Sequence, residues 1–400
     1  MGQTQGSSPR ITTLSLPATF TLLQVIPELE TGGAEQTALD VSAAVVRAGG
    51  RSIVASRGGR MNERLTQSGG RLLAMDLKTK NPFKIMANGL ALAALIKREQ
   101  VSLIHARSRA PAVSALIAAR LAKVPFLATY HGVYNARSGL KRLYNSVMTR
   151  GALTIANSDY TRAHVMAEHA VAPERVIAIP RGVDLTRFDP DLVSAERVAA
   201  QRAKWGLEPD EKRLVLLLAG RLTRWKGQRL LIDALAALKA AGQGELILIL
   251  AGDAQGRDSY RDELADAAKA AGLAEAVRLV GHCDDMPAAY LACDIAAAPS
   301  LEPEAFGRTA VEPQIMSRPV LAADHGAFRE TVINGETGLL LAPGDVKAWQ
   351  AGLAKLLALS PEMRAKMGAT GRDRAVRLYG VEAMTAATLA VYERLVGSAA

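Results

Sequence analysis

The chain has 400 residues, 49% of them hydrophobic, and no apolar run of the ~18 residues a transmembrane helix needs, so it reads as two globular domains and not a membrane span. Its net charge of +10 is unevenly shared: residues 1–190 hold 24 Lys and Arg against 12 Asp and Glu, whereas residues 191–400 hold 25 against 27. Only 4% of residues are aromatic and none interleave with basic runs, which argues against nucleic acid, and two cysteines are too few for a metal cage.

The basic half suits an anionic membrane surface or a phosphorylated glycolipid, and equally a merely solvated basic face. Residues 1–18 are polar, carry Pro9 and Pro17, and are expected to be a disordered lead without the apolar centre of a secretory signal. Gly6 stands where a myristoylation motif would have Ser or Thr. A cytoplasmic protein is expected.

Strand-like runs alternate with helical ones along the chain. In the first half they are 21–27, 51–56, 71–77, 101–107, 125–131, 153–158 and 176–180; in the second, 214–220, 245–252, 277–281, 295–299, 319–324 and 337–341. This alternation predicts parallel sheets joined by crossover helices, hence an α/β protein of two doubly wound domains. Pro180, Pro190 and Pro209 punctuate the junction, with a polar helix at 194–205 between them. The expected division is 19–190, 191–378 and a closing helical segment, 379–400, that returns to the first domain. Neither half contains G-x-G-x-x-G, which weakens a dehydrogenase reading.

Candidate site residues stand at strand ends. Gly32 and Gly33, after the first strand, open a helix and can let backbone approach an anion, although a tight turn needs the same residues. His131 ends the fifth strand, where it can bond a sugar hydroxyl or carry a proton, or be structural. Arg221 ends the strand at 214–220, and Lys226-Gly227 opens the next helix; a guanidinium and an ammonium there suit a diphosphate, though loops are also simply wet. Gly281-His282 ends another strand in a way that would let a nucleobase lie on backbone. Glu304 falls in a strand-to-helix loop and Glu312 inside the helix that follows. Between them Phe306-Gly307 can present bare N–H groups to phosphate. Two acids near a helix start are favoured by the dipole alone.

Taken together, Gly32-Gly33-Ala34-Glu35, His131-Gly132, Pro180 to Asp184, Gly220-Arg221-Leu222 with Lys226-Gly227, Gly252-Asp253, Glu304 to Glu312 and Gly335 to Leu339 resemble the retaining glycosyltransferases of family four. The resemblance runs from about Thr21 to the final helix and implies the GT-B fold, two facing Rossmann-like domains. It implies that Arg221 and Lys226 bind the donor diphosphate, Glu312 the ribose, and Glu304 the transferred sugar with backbone of Phe306 and Gly307. Gly33 would line the phosphate side and His131 would touch the sugar. The segments 179–188 and 220–228 are similar to enzymes that build lipopolysaccharide core. The expected activity is transfer of mannose or glucose from a GDP- or UDP-sugar to a lipid-anchored saccharide, on the inner face of the cytoplasmic membrane. No tightly bound cofactor and no metal is expected. Rival readings are an exopolysaccharide or lipid-carrier glycosyltransferase, a nucleotide-sugar epimerase, and a two-domain sugar-binding protein. Two residues depart from the family pattern: Arg181 stands where Asn is frequent, and Pro313 follows Glu312 inside the expected helix.

Overall fold

A computed structural model describes residues 16–17, 19–30, 32–134, 138–254, 256 and 258–397. The described residues fall into two units. The first runs to Ala156 and adds Val165–Ile179 and the chain from Met384; the second holds Asn157–His164 and Pro180–Ala383.

In chain order the first sheet and its helices are β1 (Thr21–Val25), α1 (Gly33–Arg47), β2 (Arg51–Ser56), α2 (Asn62–Gln67), β3 (Arg71–Ala74), α3 (Pro82–Arg98), β4 (Leu103–Ala106), α4 (Arg109–Ala122), β5 (Phe126–Tyr130), α5 (Gly139–Asn145), β6 (Leu153–Ala156), α6 (Asp159–His169) and β7 (Val176–Ala178). There follow α7 (Ala195–Lys204), β8 (Leu214–Ala219), α8 (Gln228–Ala240), β9 (Leu246–Ala251), α9 (Asp258–Ala270), β10 (Val277–Gly281), α10 (Met286–Ala292), β11 (Ile295–Ala298), α11 (Arg308–Ile315), β12 (Val320–Ala323), α12 (Phe328–Thr331), β13 (Gly338–Leu341), α13 (Val346–Ala358), α14 (Pro361–Tyr379) and α15 (Val381–Gly397).

All thirteen strand runs of the sequence are strands here, each ending up to three residues earlier than its apolar run or at the same residue. The strands are parallel, with orders β3-β2-β1-β4-β5-β6-β7 and β10-β9-β8-β11-β12-β13. The central strands are apolar on both faces because helices cover both. Thus β9, Leu-Ile-Leu-Ile-Leu-Ala, is buried at every position. Each order reverses at one place, between β1 and β4 and between β8 and β11. That reversal opens a crevice beyond the carboxyl ends of the strands.

The boundary differs from expectation. It falls at Ile179–Pro180, not at 190–191. The reason is packing: Val183 donates to Tyr379 O at 2.7 Å and lies with Phe188 and Trp205 in a core of the second unit. The closing helices also divide. Helix α14 packs in the second unit, where Arg372 donates to the Ile315 carbonyl at 2.5 Å, and only α15 from Met384 joins the first. The lead expected over 1–18 lies outside the described residues except at Leu16 and Pro17. Leu16 is buried and its N–H donates to Ala48 O at 3.0 Å. No helix among the described residues is long and apolar enough to cross a membrane.

The return of α15 is fixed by a buried polar cluster. Tyr392 OH lies 2.7 Å from His105 Nδ1, and Thr129 Oγ1 lies 2.7 Å from His105 Nε2. Beside them, Arg107 Nε donates to Gln24 Oε1 at 2.7 Å. Burial holds the His105 imidazole well below its ordinary value of 6.5, helped by the nearby Arg107 and His131. A histidine kept neutral when folded binds fewer protons than when unfolded, so its contribution is present above pH ~6.5 and is lost as pH falls below it. A loss of stability is therefore expected as the pH is lowered from 7 to 5. Urea unfolding of wild type and His105→Gln at both pH values measures it. Equal pH dependence in the two proteins would remove His105 as the cause.

Candidate active site

The site in the second unit grows from the β8/β11 reversal. Strand β8 delivers Gly220 and Arg221 to the carboxyl edge, where Leu222 N–H bonds Asp253 O at 3.1 Å. The strand ends are tied side by side: Gly220 N–H donates to Ala251 O at 2.8 Å, and Gly252 N–H to Gly281 O at 2.8 Å. Arg221 and the Gly281-His282 corner therefore open on the same edge. After a single turn at 224–226, Gly227 takes a left-handed φ of 77° and caps α8. Gln228 Nε2 then reaches back to the Arg221 carbonyl at 2.9 Å and closes the loop.

Strand β11 feeds the opposing loop. Leu301 N–H donates to Trp225 O at 2.6 Å, which binds the two loops to each other. Across that seam Lys226 Nζ meets Glu304 Oε1 at 2.5 Å, both side chains 14% exposed. Ser300 Oγ donates to the same carboxylate oxygen at 2.9 Å, and Lys226 Nζ lies 4.4 Å from the centroid of Trp225. The Arg221 side chain is exposed and makes no ion pair or hydrogen bond among the described residues, leaving its fork open to an anion.

Gly307, at φ 80°, caps α11, and a Cβ there would come within 2.5 Å of the buried Phe328 ring. No acceptor for the N–H groups of Phe306 and Gly307 is present among the described residues, and both stand at the positive end of α11. The helix runs on through Pro313, with Met316 N–H bonding Glu312 O at 3.1 Å. Pro313 therefore does not end the helix. Glu312 is 8% exposed, and Arg308 Nε and Tyr290 OH donate to its two oxygens at 2.7 and 3.1 Å. Burial and the neighbouring Glu312 charge push the Tyr290 phenol well above its ordinary range, so it stays a donor.

The structure thus joins Lys226 directly to Glu304 and sets Arg221, Phe306 and Gly307 on the same edge. Glu312 is held separately, in no hydrogen bond or ion pair with Lys226, Arg221 or Glu304 among the described residues. His282 is exposed and pairs with Asp284 at 3.0 Å. Asp285 caps α10 through Ala288 N–H and takes Arg197 Nη2 at 2.8 Å, so it has structural partners. In the first unit, Gly32 caps α1 and Gly33 begins it, while Thr31 lies outside the described residues. The Glu35 carboxylate folds over Gly32, where a ligand anion would have to displace it. His131 is half-buried at the end of β5.

Three supporting side chains escaped sequence reading. Arg308 was legible as an i,i+4 partner of Glu312. Ser300, two residues after β11, was legible only as a strand end. Tyr290 carried no local signal, since it meets Glu312 across 22 residues.

Two doubly wound parallel sheets, the second with an anion-ready edge at its reversal point, make this a GT-B fold. A glycosyltransferase from Rickettsia africae ESF-5 superposes with TM-score 0.87 at 29% identity, covering 94% of this chain and 98% of that one. Anabaena HepE in complex with UDP and glucose shares the fold at TM-score 0.79 and 23% identity, covering 94% of this chain and all of that one.

Residues 31–187 match Glycosyltransferase Family 4 and residues 200–374 match Glycosyl transferases group 1. The 2-deoxystreptamine glucosyltransferase of Streptomyces kanamyceticus is 30% identical over 295 residues, 70% of this chain and 73% of its own length. The chain belongs to glycosyltransferase family 4. The lipopolysaccharide core biosynthesis mannosyltransferase LpsB of Rhizobium meliloti is 33% identical over 244 residues, 60% of this chain and 65% of its own. The D-inositol 3-phosphate glycosyltransferase of Kineococcus radiotolerans is 34% identical over 256 residues, 60% of this chain. The chain spans only 57% of that relative's length.

Proposed function

We propose that the protein is a retaining glycosyltransferase that moves a hexose, mannose or glucose, from a UDP- or GDP-sugar to a lipid-anchored saccharide, with lipopolysaccharide core as the leading acceptor. The observation that carries the reading is the Lys226–Glu304 pair at the β8/β11 reversal, beside the exposed Arg221 and the open N–H groups of Phe306 and Gly307. The UDP and glucose held by HepE support the nucleotide-sugar donor, and LpsB supports the acceptor class.

In this reading the donor diphosphate enters between the cations and the α11 amino end, and Lys226 exchanges part of its bond to Glu304 for phosphate. Glu304 then faces hydroxyls of the transferred sugar. Glu312, held by Tyr290 and Arg308, meets the ribose. Gly281-His282 meet the base. The bond from the anomeric carbon to the phosphate oxygen breaks with oxocarbenium-like character. The acceptor oxygen bonds the same face, and its proton passes to the departing phosphate oxygen, whose charge Arg221 and Lys226 stabilise. No metal is required in this reading. The enzyme works at the inner face of the cytoplasmic membrane.

Purified protein incubated with a panel of UDP- and GDP-sugars and a core-oligosaccharide acceptor should release one nucleotide, with or without chelator. NMR of the product should show the donor's anomeric configuration. An inverted product would exclude the same-face step, and an isomerised sugar from donor alone would replace transfer with epimerisation.

A further inference from the structure

The first unit carries a surface that its own packing leaves unused. Residues 77–158 contain thirteen Lys and Arg against a single acid, Glu99. Within that stretch Asn81 caps α3, its side-chain oxygen accepting from Phe83 and Lys84 N–H, and Pro82 sets the first turn. The helix buries Leu92, Leu95 and Ile96 but leaves Phe83, Met86 and Leu90 in solvent, one helical face at i, i+3 and i+7. Phe83 is 84% exposed.

Helix α5 repeats the pattern. Ser138 caps it through Lys141 N–H, and Leu140 is 82% exposed with Leu143 and Tyr144 also outward. Both helices flank the first half of α4. Ser114 Oγ donates to Ile85 O at 3.0 Å on the α3 side, and Arg109 Nη1 donates to Asn145 Oδ1 at 2.8 Å on the α5 side. Single exposed leucines need no explanation, but six large apolar side chains on two helices that both bond α4 do. Lys80, Lys84 and Lys141 stand among them, exposed and in no ion pair among the described residues.

We propose that this face of α3 and α5 docks the protein on an anionic lipid bilayer. Phe83, Met86, Leu140 and Leu143 enter the acyl boundary, while Lys80, Lys84 and Lys141 lie at the headgroup phosphates. Exposed apolar side chains beside Lys80, Lys84 and Lys141, which form no ion pair among the described residues, match a lipid interface: it offers hydrocarbon below a negative plane. The purpose of the docking rests on the reading of a lipid-anchored acceptor, whereas the surface chemistry can be tested without it.

The full chain is sedimented with vesicles of phosphatidylcholine alone or enriched in phosphatidylglycerol, with no donor or acceptor present. Wild type should pellet with the anionic vesicles, less so at high salt, and stay in solution with the neutral ones. Lys84→Glu with Lys141→Glu should weaken the partition by about 25-fold or more, at about fivefold per cation. Phe83→Ser with Leu140→Ser should weaken it by roughly tenfold or more. Both variants should keep the wild-type melting temperature and the wild-type rate of nucleotide release in lipid-free buffer. Wild type that ignores anionic vesicles, that binds neutral vesicles as well, or whose variants pellet equally would overturn the docking. Nucleotide release is a separate readout, so loss of lipid binding leaves the transfer reading standing, and the reverse holds.

Discussion

Lys226→Ala should lower kcat about a hundred- to a thousandfold, the loss seen when one preorganised donor to a developing charge is removed. Lys226 is the cation already positioned by tertiary structure: its ammonium sits 2.5 Å from Glu304, with Ser300 on the same oxygen and the Trp225 ring beside it. Glu304→Gln keeps the shape of the side chain and the Ser300 contact but removes the charge that holds Lys226, and a loss of similar order is expected. Because the two groups act as one unit, the double variant should be little worse than either single one. Both side chains are only 14% exposed, so removing one leaves the other charge largely buried, and some loss of stability should accompany each single variant. Steady-state transfer rates, read with melting temperatures, decide the matter. Full rates in both single variants would end the assignment of this edge as the active site.

A larger effect on folding is expected at Gly227. At φ 77° any L side chain is strained by about 1–2 kcal/mol. A Cβ here would also overlap the carbonyl oxygen of Pro299, backbone that cannot swing aside. An overpacking cost of about 1–3 kcal/mol adds to the strain, so Gly227→Ala should lose roughly 2–5 kcal/mol. Gly242, with φ 64° and nothing within 4 Å of a built Cβ, separates the two causes. Its alanine variant should lose only the backbone part. The displaced segment of Gly227→Ala carries Ser300 and leads to Glu304, so turnover should fall with stability. Chemical denaturation of both variants tests this, and equal losses would show that the contact with Pro299 costs nothing.

Parallel-strand architecture was legible because it is written locally. Runs such as Leu-Ile-Leu-Ile-Leu-Ala at β9 are apolar at every position, as a strand covered on both faces must be, and small or polar residues stop each run. The positions of Arg221 and Lys226 after β8, and of Glu304 and Glu312 around the start of α11, followed from the same reading. Ends of strands came out late by a few residues because the apolar pattern continues past the last ladder hydrogen bond.

What chain order could not give depended on partners far along the chain. Nothing near Glu312 announces Tyr290, and nothing near Lys226 announces that the Trp225 carbonyl would bind Leu301 and bring Glu304 within reach. The domain boundary moved to Ile179–Pro180 because Val183 finds its hydrogen-bond partner in Tyr379, almost two hundred residues later. Local propensity and periodicity determined which segments became strands and helices and which side chains reached the strand ends. Only the folded core decided which of those side chains meet, because a hydrogen bond or ion pair depends on distance in space, which the order of residues does not encode.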